Sequence, residues 1–162
     1  LQRRIQAAVQ VLQGMKNVDS QKLGALGWCL GGHSILELGR MKVDGMRSMA
    51  TFHGVFDSLP PPPPPPPSTD TDTDDNPTTR GSDVLICHGV DDPFVSDEAL
   101  ENALSTLQYY RHRTSLLQLQ GAKHGFTNPA QDFNPNKAFA YQAEAANKAW
   151  KQAVGLLKRS FE

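Results

Sequence analysis

Several features that would mark a membrane, nucleic-acid or secreted protein are missing from this sequence. Only two cysteines, Cys29 and Cys87, occur in 162 residues. Two thiols in a chain this long make no disulfide framework, and reduced thiols in a cytoplasmic compartment are the expectation. Charge of one sign is missing too: 16 Lys and Arg stand against 17 Asp and Glu, a formal net charge of -1. Without an excess basic field nothing collects phosphates, so neither nucleic acid nor an anionic membrane surface is an expected partner. No apolar stretch approaches the ~18 residues that span a bilayer. The five histidines are scattered and form no metal-binding tract, and no internal repeat is visible. What remains is one domain's worth of chain, able to bury a single core. Leu1-Gln-Arg-Arg-Ile5 already reads as the inside of a helix. A start within a longer chain is therefore expected, which leaves any targeting segment unread.

The hydrophobic pattern of the chain alternates between helix and strand. Leu1, Ile5, Ala8, Val9, Leu12 and Met15 recur at helical spacing and predict an amphipathic helix to about Gly14. Lys22 to Trp28 is short, apolar and bounded by glycines, as a buried parallel strand is. His33 to about Met41 reads as a helix, Met46 to Phe52 as a strand, and Asp83 to His88 as another. Ser96 or Asp97 can cap a helix to about Tyr110, with acidic residues in the first turn where the dipole favours them. Thr114 to Leu119 is a further strand. Asn136 to about Arg159 predicts a long closing helix, with Phe139, Ala143, Ala146, Trp150, Val154 and Leu157 forming its core stripe. The class is α/β, with a mainly parallel sheet flanked by helices.

One segment interrupts the alternation. Pro60 to Pro67 is an uninterrupted proline run, followed by Ser68-Thr-Asp-Thr-Asp-Thr-Asp-Asp75. Proline donates no ladder hydrogen bond, and an acidic Thr/Asp tract has nothing to bury. Residues 58–81 are thus expected to be a polyproline II spike with a disordered tail, inserted into a single domain spanning 1–162. Such a rod suits an SH3, WW or profilin-type groove. No flanking Arg or Lys sets an orientation, however, and expansion without a partner accounts for it better.

The chemistry centres on Gly27-Trp28-Cys29-Leu30-Gly31-Gly32. A nucleophile held on a tight strand-to-helix turn needs small residues two positions before and after it, and Gly27, Gly31 and Gly32 meet that demand around Cys29. At a helix N-terminus the dipole also favours the attacking thiolate. A buried cysteine in a glycine-rich turn is the bland alternative. Two further elements weigh against it. Asp91-Asp92 follows one later strand and His124 follows the next, so the order is nucleophile, acid, histidine.

GWCLGG at 27–32, HGVDDPFV at 88–95 and AKHGFTNP at 122–129 together resemble the dienelactone hydrolase family of the α/β-hydrolase superfamily. The resemblance carries the nucleophile to Cys29, the histidine to His124 and the acid to Asp92, leaving Asp91 as a solvated turn residue. It implies hydrolysis of an ester, lactone or thioester through an acyl-cysteine, without metal or organic cofactor. The Leu30 N–H would be one oxyanion donor. The family fold has several strands and a loop ahead of the first helix seen here, and these would supply the second donor and cover the 22–28 strand. Trp28, Phe94, Phe126 and Phe56 stand beside the motifs as candidate apolar walls for a small-molecule substrate, with half of them expected to be plain core. Cys87, mid-strand, reads as core; His53 and His88, each before a glycine at a strand end, could line the pocket mouth but read better as structural histidines. Two rivals remain at this point: a binding protein that keeps the fold without turnover, and a scaffold presenting the proline rod.

Overall fold

A computed structural model describes residues 1–56 and 81–162. The 58–81 segment therefore lies outside the described residues except for Gly81, whose N–H donates to the carbonyl of Arg111 at 3.0 Å. Four parallel strands, β1 (Leu23–Trp28), β2 (Met46–Phe52), β3 (Asp83–Gly89) and β4 (Arg113–Leu119), lie side by side in sequence order. Helices α1 (Gln2–Gln13), α2 (Leu30–Met41), α3 (Asp97–Tyr109) and α4 (Ala143–Phe161) complete the fold.

Alternation along the strands divides the core in two. Met49, Val84 and Ile86 face Ile35, Leu36 and Leu107 of α2 and α3, with Ile5 and Val9 of α1 packed behind. Ala50, Phe52, Leu85 and Cys87 point the other way, toward Ala145, Ala149 and Ala153 of α4. Period-two alternation with both faces covered is what a parallel sheet requires. Ser96 caps α3 as expected, its hydroxyl accepting from the Ala99 N–H at 3.1 Å.

Two expectations about the C-terminal helix are corrected. It begins at Ala143, not at Asn136. Asn134 and Asn136 turn the chain locally, their side-chain oxygens accepting from the N–H of Asn136 and Ala138. These local bonds compete with helix. Its buried stripe is also offset from the expected one, to Ala145, Ala149 and Ala153, while Trp150 is half exposed. Three alanines four residues apart let the helix approach the sheet closely, so the large ring covers the rim.

Candidate active site

Beyond β1 the chain turns sharply at Cys29, which has φ 54° and ψ -120° before α2 begins. A non-glycine residue in such a region costs ~1–3 kcal/mol and persists only where its surroundings over-determine it. They do so here. The Cys29 N–H donates to the Phe52 carbonyl at 3.1 Å, and its own carbonyl accepts from Gly32 at 2.9 Å and Val55 at 3.1 Å. A Cβ on Gly27 would lie 2.3 Å from the Gly31 carbonyl oxygen, and one on Gly32 would lie 2.4 Å from the Gly54 Cα. Gly31 has nothing within 4 Å of such a Cβ. Of the three glycines expected to be needed at the turn, sterics demand two.

The three residues singled out for chemistry converge at the C-terminal ends of their strands. Asp92 follows β3 and is buried, and its Oδ1 accepts from the Phe94 N–H at 2.9 Å. Its Oδ2 lies 2.8 Å from His124 Nδ1, and His124 Nε2 lies 3.1 Å from Cys29 Sγ. With the carboxylate accepting, Nδ1 carries the proton and Nε2 faces the sulfur. Burial alone would lower the pKa of His124, but hydrogen bonds to Asp92 and Cys29, with their charges, outweigh it and raise it. Asp91 is exposed, as a turn residue should be. Leu30 opens α2, so its N–H is among the donors that a helix start leaves without an intrahelical acceptor.

The candidate walls separate. Phe94 is partly exposed and meets the His124 ring at 5.0 Å. Trp28 stacks on Phe52 at 4.8 Å with 42 % of its surface exposed. Phe126 and Phe56 are corrected to core: both are buried, Phe126 on the α4 side and Phe56 on the other. Phe126 follows the turn at Gly125 (φ 73°) and drops beneath the site, where nothing bound at the surface can touch it.

Three more residues surround the site, of which sequence reading weighed only His53. Phe139 meets His124 at 5.3 Å and bridges it through the backbone, the Ala140 N–H donating to the His124 carbonyl at 3.3 Å. His53 lies 5.1 Å from the same ring and pairs with Thr127. Thr127 stood inside the quoted AKHGFTNP motif, whereas Phe139 was hidden by its helical spacing to Ala143.

Cys87, read as core, has no exposed surface, and burial pushes its thiol up to about 12. A cavity of about 1210 Å³ opens at the opposite end of the sheet among Lys42, Arg47, Ser82, Arg111 and Arg159. It borders none of the three converging residues, so chemistry and not volume locates the candidate site. Among the described residues no group of three or more His, Cys, Asp or Glu is arranged to hold a metal ion, and no helix is long and apolar enough to cross a membrane.

The family model for the dienelactone hydrolase family matches residues 1–161. An uncharacterised protein of Caenorhabditis elegans, K02A2.1, is 30 % identical over 161 residues, covering 99 % of this chain and 94 % of its own. A dienelactone hydrolase-like promiscuous phosphotriesterase, P91, from metagenomic libraries is 31 % identical with a TM-score of 0.77. A second solved structure, m3DLH, is 28 % identical with a TM-score of 0.80. Each of the two covers 99 % of this chain, which spans 62 % and 61 % of their lengths. Esterase 2 of Thermogutta terrifontis, at 18 % identity and a TM-score of 0.63, shares the fold.

Proposed function

The chain belongs to the dienelactone hydrolase family of α/β-hydrolases, and from that premise we propose that it cleaves a carboxylic ester or lactone through an acyl-cysteine. The observation that carries this reading is the single imidazole set between Asp92 at 2.8 Å and Cys29 at 3.1 Å. His124 Nε2 takes the thiol proton as Sγ attacks the substrate carbonyl carbon. The resulting oxyanion sits by the Leu30 N–H, and such a donor is worth about 3 kcal/mol. As the tetrahedral species collapses, the C–O bond breaks and Nε2–H protonates the leaving oxygen. Water then gives a proton to Nε2 and attacks the thioester, releasing the acid and returning the thiol. Asp92 holds the ring by Nδ1 and stabilises its cationic form throughout. Phe94 at the mouth favours a small apolar acyl or lactone ring.

An activated ester, p-nitrophenyl acetate, followed by peptide mass spectrometry tests this directly. Acetyl is expected on Cys29 and not on Cys87, absent in Cys29→Ala and slowed in His124→Ala. Acetylation of Cys29 that is indifferent to His124→Ala would overturn the reading.

A further inference from the structure

His53 closes β2 beside the three residues without belonging to them. It is 4 % exposed, and its backbone is left-handed, with φ 40°. Its Nε2 pairs with Thr127 Oγ1 at 2.9 Å, while Nδ1 is buried with no hydrogen-bond partner beyond its own backbone among the described residues. Phe126 supports the ring from the core at 5.2 Å. A left-handed, half-satisfied buried imidazole is an expense that folds keep mainly at functional sites.

The geometry around His124 suggests what it does. One hydrogen bond at each ring nitrogen defines a line through the imidazole but leaves roll about that line open. Three rings meet the imidazole from its flanks: Phe94 at 74°, Phe139 at 86° and His53 at 66°. Roll matters because Nε2 must face Cys29 when it takes a proton and the leaving oxygen when it returns one. We propose that His53, tethered by Thr127, is a positioning residue whose ring, with Phe94 and Phe139, fixes the roll of the His124 imidazole. This rests on the acyl-cysteine reading above. An imidazole suits the place because Thr127 can orient it, which a phenyl ring does not allow. It also stays uncharged beside His124: burial first, and then the His124 charge, lower its pKa to about 4 against the opposing pulls of a hydrogen bond with its own backbone and of Asp92.

The test compares three variants on p-nitrophenyl acetate. His53→Asn removes the ring yet tolerates the left-handed backbone. It should lower kcat about tenfold with KM changed less than about twofold. Thr127→Val, which releases the tether, should give a smaller loss of the same kind, and His53→Phe, which keeps a ring without the tether, should resemble Thr127→Val and not His53→Asn. The titration of the His124 ring, followed by NMR without substrate, should move in His53→Asn. The proposal is overturned if His53→Asn keeps wild-type kcat and titration, or if His53→Phe is as impaired as His53→Asn. Loss that merely tracks the folded fraction would also overturn it. If the wild-type chain hydrolyses no ester, the acyl-cysteine reading fails, while the His124 titration still decides whether His53 holds the ring.

Discussion

The two ends of the sheet handle their buried histidines in opposite ways. At the N-terminal ends of the strands, His112 accepts from the Ser82 N–H at Nδ1 and donates from Nε2 to the Gly39 carbonyl, both at 2.9 Å. One ring thereby ties α2 to the starts of β3 and β4 with nothing left over. At the C-terminal ends, His53 keeps a ring nitrogen with no partner beyond its own backbone among the described residues. Left-handed backbone is common to both ends, at Cys29 and His53 here and at Lys42 and Arg111 there. The contrast therefore lies in the side chains and not in the backbone. At one end the buried imidazole ties elements together, and at the other the imidazoles face one another and Cys29.

The largest effect should come from the C-terminal end. Cys29→Ala should lower ester turnover by about 10³-fold or more, since residues that act as a unit lose nearly everything when one is removed. Cys87→Ala should leave the rate per folded molecule unchanged, as read by p-nitrophenol release. The satisfied end should respond in stability instead. His112→Leu strands the buried Ser82 N–H, at about 1–3 kcal/mol, while the Gly39 carbonyl keeps the Lys42 N–H at 3.3 Å. Its urea midpoint should drop while the rate per folded molecule holds. A His112→Leu protein as stable as wild type would break the contrast. Between the two effects stands Gly32→Ala, whose Cβ meets backbone, not a flexible side chain, and which should cost both stability and turnover.

Acid should affect both ends together. His53 has its pKa lowered to about 4, and His88 and His112 are lowered too, burial being the largest cause for each. A histidine whose pKa is lower folded than unfolded stabilises fully above about pH 6.5, the unfolded value, and loses that contribution as pH falls toward the folded one. His124, raised, works with the opposite sign: its contribution is complete below the unfolded value and is lost as pH rises through the folded one. Three lowered groups against one raised group predict that the urea midpoint falls between about pH 6.5 and 4. His112→Leu should flatten that fall. A midpoint constant across the window would show that the histidines are not held neutral.

Legibility in the sequence followed the same division. β2 was readable at both bounds because Gly45 and His53-Gly54 bracket it, and the placing of Cys29, Asp92 and His124 because each stands just past a strand. These signals are local. The His53–Thr127 pair spans 74 residues and the Ser82–His112 bond 30, distances over which periodicity carries nothing. Phe139 was misread because its spacing from Ala143 imitates a helix, while the turns at Asn134 and Asn136 that prevent one depend on side-chain bonds. The α4 face was misread for a different reason. Hydrophobicity favours Trp150 for burial, whereas closeness to the sheet favours Ala145, Ala149 and Ala153.

The smallest effect tests the turn itself. Gly31 lies in the first turn of α2, and a Cβ there meets nothing within 4 Å. Helical glycine is destabilising relative to alanine by ~0.5–1 kcal/mol, because it loses more backbone freedom on folding. Gly31→Ala should therefore be neutral or stabilising by up to about that amount, and ester turnover should persist. A loss of turnover without loss of stability would mean that the space above Gly31 is where substrate lies. The C-terminal end would then owe its glycines to two causes, backbone crowding at Gly27 and Gly32 and ligand access at Gly31.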